Sequence, residues 1–120
     1  EVVVQNPETT VTPTTDVPAG LPVVQTDSTA APYISTVVVK GTVNPNGAET
    51  TYWFEYSKNS SLSSGLLSTQ ELSLSDATVM VNTSVIITGL DANTKYYVRA
   101  VAKNQYGTSR GDIESFTTKK

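Results

Sequence analysis

In several stretches of this chain, apolar residues recur at every second position, and that period confines the fold more than any other feature. From Thr36 to Val43, one face carries Val37, Val39, Gly41 and Val43 and the other Val38, Lys40 and Thr42. From Thr51 to Ser57, Tyr52, Phe54 and Tyr56 oppose Trp53 and Glu55; from Lys95 to Lys103, Tyr96, Val98, Ala100 and Ala102 oppose Tyr97, Arg99, Val101 and Lys103. A repeat of two is the period of a strand, and no segment shows a competing helical period. Leu21–Thr26, Ser68–Leu74 (weakly), Val79–Thr88 and Ile113–Thr118 add further β-prone runs, and Asn44-Pro-Asn-Gly47, the Ser-rich stretch Lys58–Gly65 and Gly89 read as turns or loops. About seven strands with turn signals every eight to twelve residues or so predict an all-β sandwich. The inward parity of each strand predicts that Val39, Phe54, Tyr56, Ile87, Tyr96, Val98 and Phe116 are buried together.

Five of the six prolines fall in the first 32 residues, interleaved with Thr9, Thr10, Thr12, Thr14 and Thr15. Such a stretch cannot hold a helix and has few apolar groups for a core, so an extended arm over residues 1–19 precedes a sandwich over 20–120. Val2, Val3 and Val4 are β-prone but have no sequence-local partner. A strand that adds to the edge of the next subunit or module is the assembly role expected of them.

What the composition lacks narrows the function. With no His and no Cys there is no disulfide, no imidazole or thiolate metal site, no Ser-His-Asp triad and no catalytic cysteine. A formal net charge of −3 offers neither the basic footprint of a nucleic-acid binder nor a polybasic patch for anionic lipid. No apolar run approaches the roughly 18 residues of a membrane span, so direct membrane insertion is not expected. Thirteen Ser, 19 Thr and 16 Val against 7 Leu give a β-rich, extracellular-looking composition. Glu1 stands where a Met would open a chain, which reads as a processed form or excised fragment whose targeting signal lies elsewhere.

The run Leu90-Asp-Ala-Asn-Thr94-Lys-Tyr96-Tyr-Val98-Arg-Ala100-Val-Ala102-Lys-Asn104 resembles the E–F corner and F strand of fibronectin type III domains. Gly41-Thr-Val-Asn-Pro-Asn-Gly47, Tyr52-Trp-Phe54-Glu-Tyr56, Ile87-Thr-Gly-Leu90 and Ser115-Phe-Thr-Thr118 follow in the order that family requires, and together they resemble its prokaryotic, surface-protein branch. The resemblance covers Leu21–Thr118 and implies a seven-stranded immunoglobulin-like sandwich with Tyr96 as its tyrosine corner, the ring buried and the hydroxyl bonded to backbone a few residues upstream. It gives Leu90, Phe54, Tyr56, Gly41 and Phe116 structural roles. Two positions depart from the animal pattern. Gly41 stands where a core Trp is usual, leaving Tyr52, Phe54 and Tyr56 to fill that volume, and Ala92 replaces a corner Pro.

Candidate binding residues are few. Trp53, Tyr97 and Tyr106 lie outside the expected core and are the groups on which a glycan contact would rest, although outward aromatics more often form cross-strand pairs or cover an inter-module contact. Arg110-Gly111-Asp112 spells an integrin-type tripeptide, but a backbone requirement for Gly111 entering the last strand makes an incidental match the ordinary reading. The carboxylates, Glu49, Glu55, Glu71, Asp76, Asp91, Asp112 and Glu114 among them, are scattered without calcium-loop spacing, and two glycosylation sequons, at Asn59 and Asn82, are of the number chance allows. The expectation is a non-catalytic extracellular module without cofactor: a rigid spacer or self-assembling subunit of a prokaryotic surface protein or fibre. A carbohydrate-binding accessory module of a secreted enzyme is the alternative. Its partners would be neighbouring modules or identical subunits, or a cell-surface glycan or protein, and not nucleic acid.

Overall fold

The computed structural model describes residues 19–29 and 31–120; the assembly role given to Val2, Val3 and Val4 falls outside them. Among the described residues, nine strands form two antiparallel sheets: β1 Val23–Thr26, β2 Val37–Asn44, β3 Thr50–Ser57, β4 Leu67–Ser68, β5 Leu72–Leu74, β6 Val81–Ile87, β7 Lys95–Asn104, β8 Gly107–Arg110 and β9 Glu114–Thr117. One sheet has the order β1-β2-β6; the other is centred on β3 and β7, with β4 and β5 along the outer side of β3 and β8 and β9 along that of β7. Packed face to face, the two sheets bury the inward parity of each strand. Val37, Val39, Phe54, Ile87, Leu90, Tyr96, Val98, Ala100 and Phe116 form the core, with Val24, Tyr52, Tyr56 and Val85 packed against it and only partly buried.

The strand count exceeds seven because the partner strand on each side of the β3–β7 pair is interrupted. Glu55 faces Ser68 and Tyr52 faces Leu72, so three residues, Thr69–Glu71, oppose two, Phe54 and Trp53. On the far side Val101 faces Arg110 and Val98 faces Glu114, so Gly111–Ile113 oppose Ala100 and Arg99. Each interruption is a bulge of one extra residue. Phe54 and Ala100 are themselves directly paired, so both bulges flank one row. β8 is absent from the runs that alternation marks, because Thr108 and Ser109 carry little strand signal and are recruited by β7.

Side chains take over hydrogen bonds at that row. Phe54 N donates to Thr69 Oγ1 at 2.9 Å, Gly111 N donates to Ala100 O at 2.8 Å, and Ala100 N donates to the hydroxyl of buried Thr26 at 2.9 Å. Thr26 ends β1 in the opposite sheet, so its hydroxyl joins the two sheets. Room for it comes from two glycines. A Cβ on Gly111 would lie 2.5 Å from Thr26 Oγ1, and one on Gly41 would lie 2.9 Å from Gln25 O and 3.1 Å from Ala100 Cβ. The volume above Gly41 is taken by the Phe54 ring, whose Cε2 would stand 3.5 Å from such a Cβ.

The sandwich has two poles. At the first, Asn104 Nδ2 donates to Gly20 O and Pro45 O, and Asn46 Nδ2 donates to Leu21 O, fixing the chain where it enters. At the second, Asn93 N donates to Lys119 O and Lys119 N to Tyr33 O, fixing the chain where it leaves. Tyr96 closes this second pole: its hydroxyl accepts the Asp91 N–H at 2.8 Å and its ring stacks on Phe116 with centroids 5.6 Å apart. Replacing Tyr96 by Phe strips the Asp91 N–H of its partner and is expected to cost about 1–2 kcal/mol of unfolding free energy. Urea denaturation checks this, and a Tyr96→Phe chain as stable as the parent would show that the hydroxyl bond does not contribute.

Candidate functional site

At the second pole, the β3–β4 loop and the β6–β7 turn face each other across a cleft of about 580 Å³ lined by Ser57, Lys58, Asn59, Leu67, Asp91 and Tyr96, among others. The loop wall is held by its own polar groups. Ser57 Oγ donates to Ser64 O and accepts Asn59 N–H, while Asn59 Oδ1 accepts the N–H groups of Ser61 and Ser63. This wrapping drives Leu62 inward to 4% exposure, in a left-handed conformation with φ 57°. A bulky apolar residue rarely adopts that conformation; the burial of its side chain offsets the strain. The opposite wall turns at Gly89 and Asn93, both at positive φ, and carries Asp91.

An ion pair spans the mouth: Lys58 Nζ donates to Asp91 Oδ2, with both side chains more than half exposed. The Lys58 ammonium also lies 6.0 Å from the centroid of the Tyr96 ring. The hydrogen bond to Asp91, and then the carboxylate's charge, push the Lys58 ammonium above its usual range, so the pair persists into alkaline solution. Its solvent exposure keeps its contribution to stability small. Outside the cleft, Tyr56 packs against Tyr96 with ring centroids 6.5 Å apart, and burial pushes its hydroxyl up, with Tyr96 adding to the shift. The cleft thus sets one cation and one anion over an aromatic and aliphatic floor. Among the described residues, no group of three or more His, Cys, Asp or Glu side chains could hold a metal ion.

A larger cleft of about 680 Å³ at the first pole brings Glu49 and Glu71 together with Lys103, but no ion pair among the described residues crosses it.

The residues singled out by sequence are dispersed. Trp53, half-buried, faces Val101 across the outer sheet surface, and Tyr97 faces Ser57. The Glu55–Arg99 row lies between them, so they stand about 13 Å apart along the strands. Tyr106 is exposed in the β7–β8 turn at the other pole, and the three rings share no platform. Glu55, on the parity opposite Phe54, is nonetheless buried: Arg99 donates to its Oε1 at 2.9 Å and Arg110 approaches to 4.0 Å. In the Arg110-Gly111-Asp112 tripeptide, Arg110 is therefore drawn onto the sheet, Gly111 sits in the bulge against Thr26, and Asp112 is exposed. Leu62, Lys58 and Asp91 were not foreseen as a unit. The detectable signal was a Leu within the run Asn59-Ser-Ser-Leu-Ser-Ser64, where an apolar group in a polar loop marks an inward anchor.

No family model and no curated protein matches the chain. Solved structures do. The sensor domain of the anti-sigma factor RsgI4 of Pseudobacteroides cellulosolvens, in a short form, is similar over 82% of this chain and 94% of that one, with TM-score 0.63 and 17% identity. Its solution structure matches over 80% of this chain and 74% of that one (TM-score 0.60, 16% identity), and a longer form over 82% and 89% (TM-score 0.58, 17% identity). At such identity the likeness is one of fold. It corrects the expectation of a spacer, self-assembling subunit or carbohydrate-binding module, because the domains that share the sandwich are sensors.

The raised Tyr56 pKa fixes the sign of one pH effect. The stability associated with its neutral hydroxyl is fully present below the ordinary value of 10.0 and is lost as pH rises through the higher folded value. Melting temperatures are expected to fall as pH rises above 10.0, and to fall less in Tyr56→Phe, which has no proton to lose. Equal losses in the two chains would show that Tyr56 does not titrate at a cost to the fold.

Proposed function

We propose that this chain is an extracellular sensor module that acts by binding and carries no catalysis, with the cleft between Lys58 and Asp91 as its receiving site. The observation that carries this reading is the likeness to anti-sigma factor sensor domains over about four fifths of the chain. The site adds a route for a signal. Asp91 O accepts the Thr118 hydroxyl, Thr94 N donates to Thr118 Oγ1, and Asn93 N donates to Lys119 O, so the turn that bears Asp91 is tied directly to the departing end of the chain. A ligand that separates Lys58 from Asp91 acts on the element that holds Thr118. Its chemistry follows from the mouth: an anionic group to take the Lys58 ammonium and a cationic or donor group to take the Asp91 carboxylate, as in a free amino acid or short peptide.

The fibronectin type III relationship belongs to the same proposal. It is supported by the order β1-β2-β6 against β3 and β7 with their outer partners, and by the Tyr96 hydroxyl at the Asp91 N–H. An extracellular setting accords with the Ser- and Thr-rich composition, and no helix among the described residues is long and apolar enough to cross a membrane.

Two-dimensional NMR titration of the chain with a panel of amino acids, dicarboxylates and di- and tripeptides tests the site. A ligand of the expected class shifts the amide signals of residues 57–65 and 89–94 together with Thr118 and Lys119, and Lys58→Ala or Asp91→Ala weakens the response at least tenfold. A panel that leaves those signals unmoved, or shifts them equally in both variants, would contradict the assignment of the cleft.

A further inference from the structure

Alternation sends the odd-numbered residues of β3 and β7 to the outer surface of their sheet. β7 presents Lys95, Arg99 and Lys103 there, and Arg110 of β8, opposite Val101, joins them. Four of the eight Lys and Arg side chains of a chain with formal net charge −3 are thereby gathered on one surface. Glu55 is the one carboxylate among the outward residues of these strands and of their partners β4, β5, β8 and β9. It is already engaged, since Arg99 places both Nε and Nη2 2.9 Å from its Oε1. The Arg110 Nε lies 4.0 Å from that oxygen, too long for a hydrogen bond, and its side chain is 49% exposed. Lys95 and Lys103 are exposed, and the Lys95 ammonium turns back to 5.5 Å from the centroid of the Tyr97 ring. At the rim, Glu49 and Glu71 share the first-pole cleft with Lys103, and Asp112 and Glu114 follow Arg110 in the chain. None of these four carboxylates forms an ion pair with Lys95, Lys103 or Arg110 among the described residues. Like charges side by side in a sheet repel one another, and the fold leaves that repulsion in place.

We infer that this face docks an extended acidic segment of a partner protein, laid along β7, with Glu or Asp at every second residue. Spacing decides the occupant. Lys103, Arg110 and Arg99 occupy three successive outward rows of the sheet, about 6.8 Å apart along the strands. Side chains on one side of an extended peptide recur at that same interval, so alternate carboxylates meet the three cations in register. The stripe continues to Lys95, about 27 Å from Lys103, the length of a segment of about eight residues. Complementary charge steers such a segment onto the face, and the half-exposed Arg110 guanidinium can take a carboxylate through two donors. Half-buried Trp53 and buried Val101 form an apolar floor in the Arg110 row. The inference is independent of the cleft at the second pole, which none of these cations lines.

Two-dimensional NMR titration with an acetylated and amidated hexapeptide, Glu-Thr-Glu-Thr-Glu-Thr, tests it; the Thr residues favour the extended form. The indole signal of Trp53, the sole Trp of the chain, and the amides of residues 97–103 and 108–112 are expected to shift together and to saturate. A Gln-Thr analogue should bind at least tenfold more weakly, and so should the acidic peptide to a chain carrying both Lys103→Gln and Arg110→Gln. An acidic peptide that moves none of these signals would overturn the inference, as would equal binding by the Gln-Thr analogue or to the double variant. Tighter binding of an oligothymidylate of equal charge would also overturn it and assign the face to nucleic acid.

Discussion

The Thr26 hydroxyl accepts the Ala100 N–H at the one row where both sheet partners of the central β3–β7 pair are bulged, and the rest of the sandwich is arranged around that contact. A bulge leaves a backbone group of the adjacent strand unpaired, and a buried unpaired group costs about 1–3 kcal/mol. On one side Thr69 supplies the missing acceptor to Phe54 N; on the other Thr26 does so from the opposite sheet. The sheets must then approach closely, which explains Gly41 and Gly111 at the contact and Ala100 between them. Phe54 fills what the small residues leave, and it is fully buried.

With its middle fixed in this way, the molecule has its adaptable parts at the margins. The second pole combines a strained, buried Leu62, an exposed ion pair and a turn bonded to Thr118, just past β9. Residues held in rare conformations cluster where proteins bind or switch, and here Leu62 anchors the loop that borders the cleft assigned to ligand recognition.

Much of this architecture is legible in the chain before any coordinates. β2, β3 and β7 follow from alternation alone, because each has one buried face and a slip by one residue would turn Val39, Phe54 or Val98 outward. What is not legible depends on partners distant in sequence. β8 exists because β7 offers it a ladder; Glu55 is buried because Arg99 lies 44 residues away in sequence but beside it in the sheet; Val101, on the outward parity, is buried between Trp53 and Arg110 in the register. The cleft was missed for the same reason, since Lys58 and Asp91 come from separate turns 33 residues apart. The functional expectation failed at another level. The sandwich serves many roles, and composition that excludes much chemistry does not choose among them.

Equilibrium urea unfolding of Thr26→Val measures the central contact most directly. Valine keeps the shape of threonine and removes the hydroxyl, so the Ala100 N–H loses the acceptor that Thr26 supplies while packing changes little. The loss expected is about 1–3 kcal/mol, against less than about 0.5 kcal/mol for Thr42→Val on the outer face of β2. A Thr26→Val chain that unfolds at the same urea concentration as the parent would contradict the claim that this hydroxyl joins the two sheets.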